Sequence, residues 1–122
     1  MANNQETLDL VFGALSDPTR RAIVMRLSRQ PASVSELSEP FSMAMPTLLQ
    51  HIRVLEMSGL IETEKIGRVR TCTLRVEAIA ATEQWLAAQR EIWERRLDRM
   101  EAYVNKLQAM EKANARHKRP KK

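Results

Sequence analysis

Residues 41–61 read FSMAMPTLLQHIRVLEMSGLI, and this stretch decides the fold. Pro46 is tolerated only near the start of a helix, because proline has no N–H group to donate. The apolar residues that follow have the i, i+4, i+7 spacing of one buried helix face: Leu48, Ile52 and Leu55. Gly59 is placed to end the helix in the left-handed conformation. The stretch therefore predicts a helix over about residues 44–58.

A short helix is predicted before this one and a β-hairpin after it. Ser33 and Glu36 have the spacing of a capping box, which marks the start of a helix. Strands are expected at about Ile61–Ile66 and Val69–Arg75, because residues 67–68 suit a type II′ turn with glycine first. Helix, turn, helix and hairpin in this order form a winged helix-turn-helix, a shape that places one helix in a DNA major groove.

Further helices are predicted on both sides of this unit. The first covers about Glu6–Ala14, and the next begins at Asp17 and Pro18, a good N-cap followed by a residue suited to the first turn. The last helix runs from about residue 76 to near residue 111, roughly 50 Å. The fold class is therefore mainly α with a small β-hairpin.

The last helix is too long for a small globule to cover. From Trp93 onward its apolar residues are spaced 4, 3, 4 and 3 apart, a heptad seam that Arg90 interrupts on the N-terminal side. A seam without a partner in its own chain implies a second subunit, most simply in a two-fold homodimer. The expected dimer contacts on this helix are Leu86, Trp93, Leu97, Met100, Val104 and Leu107.

The net charge of +5 is concentrated near the C-terminus. Residues 112–122 hold six of the 20 basic residues and no acidic residue, which leaves 14 basic against 15 acidic residues in the remainder. We therefore predict a winged-helix DNA-binding and dimerisation domain over residues 1–111 and a basic disordered tail over 112–122. The tail either adds sequence-independent affinity for DNA or is a solvating end with no partner.

Several classes of protein find no support in the sequence. It shows no apolar run that would span a membrane, and its polar N-terminus lacks the basic region of a signal peptide, so we expect a cytoplasmic protein. Two histidines and one cysteine, widely spaced, predict no metal site, and no phosphate loop or nucleophile elbow predicts an enzyme or a cofactor. Cys72 is expected to be a small strand residue facing the core.

The outward face of the helix at residues 44–58 carries the side chains that suit DNA. Gln50 can bond an adenine in two places, Arg53 can reach guanine or phosphate, and Leu49 or Met45 can meet a thymine methyl. His51 is either a phosphate donor or a half-buried residue beside the core. The predicted DNA contacts are Met45, Thr47, Leu49, Gln50, His51 and Arg53 of this helix and Lys65, Arg68 and Arg70 of the hairpin, or wing. The alternative is a solvated helix face and a solvated hairpin tip.

Residues 15–23, LSDPTRRAI, resemble the second-helix signature of ArsR-type bacterial repressors. Residues 45–61 resemble the recognition helix of that family and its exit, and Gly67 with Arg68 resembles the start of its wing. The resemblance covers about residues 7–107. It implies a homodimer joined through its first and last helices, a palindromic double-stranded DNA operator, and repression released by an inducer. The dimer contacts that it implies on the first helix are Leu8, Val11 and Phe12.

The sequence departs from the metal-sensing members of that family. The segment that would carry their third-helix motif, residues 36–41, contains no cysteine, and no histidine lies between residues 77 and 111. The resemblance is therefore to a subgroup without the metal-binding motifs. Leu49 stands where the family often has serine, and Cys72 where an aromatic residue is frequent.

Two other functions stay open at this point. A winged-helix module for protein assembly would use the long helix as its binding surface, although assembly needs neither the charged wing nor the polar helix face. A small-molecule inducer, whose identity the sequence does not reveal, would lie near Trp85 and Trp93 and is compatible with binding DNA.

Overall fold

The computed structural model describes residues 4–118, and its element order is that of a winged helix-turn-helix followed by a long helix. The elements are α1 (Asn4–Leu15), α2 (Pro18–Leu27), β1 (Ala32–Ser33), α3 (Val34–Ser38), α4 (Met45–Met57), β2 (Ile61–Ile66), β3 (Val69–Leu74) and α5 (Val76–Lys118). The fold predicted from the sequence is confirmed. The chain divides into two compact units between Glu83 and Gln84.

The helix starts follow the local signals. The Asp17 carboxylate accepts a hydrogen bond from the backbone N–H of Arg20 at 3.0 Å and caps α2. At α3 the capping box is complete, because Ser33 Oγ accepts from the N–H of Glu36 while the Glu36 carboxylate accepts from the N–H of Ser33. Gly59 ends α4 with a φ of 82°, in the left-handed region where glycine carries no steric cost.

The sheet has one strand more than the sequence predicted. Its order is β1-β3-β2, and β1 pairs with β3 antiparallel, with Ala32 opposite Cys72. A two-residue strand carries no periodicity, so only its pairing with β3 reveals it. The hairpin has the predicted register, with Ile66 opposite Val69. Gly67 has a φ of 63°, and among residues 4–118 only glycines have a positive φ. The first central residue of the turn therefore has a positive φ and the second, Arg68, does not, which fits the predicted type II′ turn.

The core lies among α1, α2, α3, α4 and the sheet. Its largest fully buried side chains are Val11, Ile23, Leu37, Leu48, Ile52, Leu55, Leu60, Ile61 and Cys72. The expectation that Val11 lies at a dimer interface is wrong, because its exposure is 0 % within the chain itself. The face of α1 that carries Val11 packs inward, whereas Phe12 remains 38 % exposed.

The long helix α5 continues seven residues past the predicted end at Glu111, to Lys118. Residues 112–118 are therefore helical rather than disordered, since alanine, lysine and arginine favour a helix and cations suit its C-terminal end. Residues 119–122 of the predicted tail lie outside the described residues. No helix in the described part of the chain is long and apolar enough to cross a membrane.

The C-terminal part of α5 exposes its apolar seam as predicted. The exposed seam residues are Leu86, Trp93, Leu97, Met100, Val104 and Leu107. Ion pairs at i, i+4 spacing join Arg90 to Glu94 at 3.7 Å and Arg95 to Glu91 at 2.6 Å. Such exposed pairs add little stability by themselves.

Candidate nucleic-acid interface

The helix α4 separates a buried face from an exposed one. Its buried stripe is Leu48, Ile52 and Leu55. The predicted contact residues Met45, Thr47, Leu49, Gln50 and Arg53 are all exposed. Four of these belong to the first half of the helix, the part from which base contacts usually come in helix-turn-helix proteins.

The wing carries three exposed cations, Lys65, Arg68 and Arg70, which we call the wing cations. Among the described ion pairs none involves these three side chains, although Arg75 at the base of the hairpin pairs with Glu62 and Glu77. Cations that are not neutralised by carboxylates of their own chain are available to phosphate groups.

The wing and α4 enclose a shallow groove of about 510 Å³, which we call the wing groove. It is lined by Met45 and Leu49 of α4, by the wing cations, by Val69 and by residues 33–35. No carboxylate lines it. Five of the nine predicted DNA-contact residues therefore meet at one surface, although they come from two separate segments of the chain.

One side-chain hydrogen bond joins the wing to α4, and one backbone hydrogen bond closes the hairpin at its base. Thr63 of β2 donates a hydrogen bond from its hydroxyl to the carboxylate of Glu56 on α4. At the base of the hairpin, the N–H of Arg75 donates to the carbonyl of Leu60 at 2.8 Å. The first contact fixes β2 of the wing beside α4, whereas the second joins the two ends of the hairpin.

His51 does not line the wing groove. Its side chain is 19 % exposed, and its Nδ1 lies 3.2 Å from Nη1 of Arg20 and 3.9 Å from a carboxylate oxygen of Asp17. Of the two alternatives for His51, a phosphate donor or a half-buried residue beside the core, the structure favours the half-buried residue. Arg20 is a residue that the sequence did not predict at this site, because its contact with His51 joins residues 31 positions apart.

Two carboxylates that cap helices near this site have lowered pKa values. The pKa of Asp17 is lowered chiefly by the hydrogen bond from the Arg20 backbone, and the pKa of Glu36 chiefly by the bond from the Ser33 backbone. Both groups therefore stay charged in the folded chain at neutral pH.

Cys72 has the position expected of a core residue. It is fully buried on β3, and burial raises the pKa of its thiol. A reactive or redox-sensing cysteine needs the opposite shift. In the described residues, no three His, Cys, Asp or Glu side chains are grouped as metal ligands would be.

Comparisons with known proteins point to one group. Residues 15–64 match the sequence profile of a helix-turn-helix domain family. The chain is 37% identical over 73 residues to the HTH-type transcriptional regulator Rv2034 of Mycobacterium tuberculosis. The matched residues make up 60% of this chain and 68% of that protein. It is 26% identical over 76 residues to the transcriptional repressor SdpR of Bacillus subtilis, covering 62% and 84%. The crystal structure of an ArsR family transcriptional regulator has a TM-score of 0.72 at 56% identity, covering 77% of this chain and 97% of that one.

Proposed function

Because this chain belongs to the ArsR family of transcriptional regulators, we propose that it is a homodimeric repressor that reads an inverted-repeat operator. The fold, the helix-turn-helix domain and the role as a DNA-binding transcriptional regulator follow from the family. The dimer, the operator symmetry and the residues in contact are the proposal. The proposal also includes that the protein acts by binding rather than catalysis and that it does so in the cytoplasm.

The wing groove is the observation that carries the proposal. It combines exposed side chains of the recognition helix α4 with three cations and no carboxylate. A surface of that charge suits the phosphate backbone, while the helix beside it presents side chains to base edges. Gln50 is assigned to adenine, Arg53 to guanine or phosphate, and the wing cations to the backbone or the adjacent minor groove.

The exposed seam of α5 supports a second copy as the partner. Leu97 is 58 % exposed and Met100 63 % exposed, and both lie on the heptad positions of one stripe. Trp85 and Trp93 are also exposed on α5, at 42 % and 60 %. In a two-fold dimer two recognition helices lie about one DNA turn apart, roughly 34 Å, which predicts two inverted half-sites.

The experiment is selection of bound sequences from random duplex DNA, followed by titration of the selected duplex against scrambled DNA at a fixed salt concentration. A palindromic duplex bound about 10³-fold more tightly than scrambled DNA supports the proposal. Equal binding to all sequences that disappears with salt contradicts it and favours the protein-assembly module. Gln50→Ala is then titrated against single base-pair variants, where loss of discrimination at particular positions supports base reading and uniform weakening contradicts it.

An inducer, if the regulator uses one, is tested by tryptophan fluorescence, because both tryptophans of the chain lie on α5. A metabolite that shifts the emission and also weakens operator binding would be assigned as the inducer. A metabolite that shifts the emission alone would not.

A further inference from the structure

Part of the lining of the wing groove is made of exposed apolar side chains. Met45 and Leu49, at i and i+4 on α4, are 43 % and 36 % exposed, and Val69 on the wing is 53 % exposed. All three line the same groove, and their own chain leaves them open to solvent. Large apolar side chains gathered on one exposed surface mark a binding site more often than side chains scattered singly.

The charged residues that line the groove with these three apolar side chains indicate the kind of partner that it binds. The three wing cations line the same groove and no carboxylate does, so the partner is polyanionic. The partner must also offer an apolar group that reaches α4 between its charges. In the DNA major groove the one apolar group on a base edge is the C5 methyl of thymine.

We propose that Met45 and Leu49 form a thymine-methyl reader, which gives each half-site a thymine beside the wing. This inference rests on the proposed function and adds to it the base that the wing groove selects. Leucine has no donor or acceptor and thus contributes only contact with the methyl, whereas a serine at position 49 would bond several different base edges.

The test replaces each thymine of the selected operator in turn with deoxyuridine, which deletes only the methyl group. We expect one or two positions in each half-site at which binding to the full-length protein weakens about three- to fivefold, the value of one buried methyl. The slope of log affinity against log salt should stay unchanged, because removal of a methyl group releases no counterions.

Protein variants connect that weakening to the groove. Leu49→Ala should weaken binding to the thymine operator and remove most of the response to deoxyuridine at the same positions, and Met45→Ala should do so in part. Met57→Ala is the matched control, since Met57 is 68 % exposed on the same helix but does not line the wing groove. It should retain the full deoxyuridine response.

The outcomes separate this inference from the proposed function. Specific operator binding with no deoxyuridine-sensitive position overturns the thymine-methyl reader but does not contradict the proposed repressor function. A deoxyuridine response that survives both Leu49→Ala and Met45→Ala also overturns it. Absence of any specific operator overturns the proposed function itself, and the reader with it.

Discussion

Nη1 of Arg20 lies 3.2 Å from Nδ1 of His51, and this contact joins the start of α2 to the recognition helix α4. The same guanidinium donates to the carbonyls of Ala14 at 2.7 Å and Gly13 at 3.1 Å, at the end of α1. One side chain therefore connects three helices. Because arginine only donates, a hydrogen bond across this contact requires Nδ1 of His51 to accept, with the ring proton on Nε2.

We expect Arg20→Gln to reduce operator affinity as well as stability. The variant loses the bonds to α1 and the support of α4, at a cost on the order of 1–3 kcal/mol in the free energy of unfolding. Affinity is measured at a temperature at which circular dichroism shows the variant folded. The nitrogen chemical shifts of His51 in the wild type check the protonation of Nε2.

Arg21→Gln is the matched control for that prediction. Arg21 also donates to a carbonyl at the end of α1, that of Leu15 at 2.8 Å, but no contact with α4 is described for it. It should lose stability without losing affinity. An equal loss of affinity in the two variants would show that the contact with His51 does not position the recognition helix.

We expect Arg68→Ala to weaken binding to all duplexes alike and to reduce the salt slope by about one for each phosphate that the arginine neutralises. The reason is that an exposed wing cation without a carboxylate partner among the described residues is free to displace counterions. Titrations at several salt concentrations measure the slope. Arg29→Ala, which removes an exposed arginine outside the wing groove, is the control and should leave the slope unchanged.

We expect Leu97→Asp to convert the dimer to a monomer at micromolar concentration, because it would bury a charge in the α5 seam. Sedimentation or light scattering measures the state. Ala102→Asp introduces the same charge away from the seam on the same helix and should remain dimeric. A dimeric Leu97→Asp variant would place the interface elsewhere.

We expect the fold to lose stability in acid. Asp17 and Glu36 have lowered pKa values, so their charged forms favour the folded chain, and this contribution is complete above their ordinary values of 3.8 and 4.5. This contribution to stability is lost as the pH falls below that range and through the lowered pKa values of the folded chain. Urea unfolding at a series of pH values measures the decline. Asp17→Asn keeps a good N-cap and should show a shallower decline, and a profile identical to that of the wild type would contradict the assignment.

Part of this molecule follows from short-range geometry alone. The buried stripe of α4, the caps at Asp17 and Ser33 and the turn at Gly67 each depend on residues a few positions apart, so spacing and residue type were sufficient to predict them. The tertiary structure decided the rest. It paired β1 with β3, turned Val11 into the core, connected Arg20 to His51, and brought Met45 and Leu49 beside the wing cations in one groove. These outcomes join segments far apart in the chain, and they depend on which surfaces are removed from water when the helices pack, which no local pattern encodes.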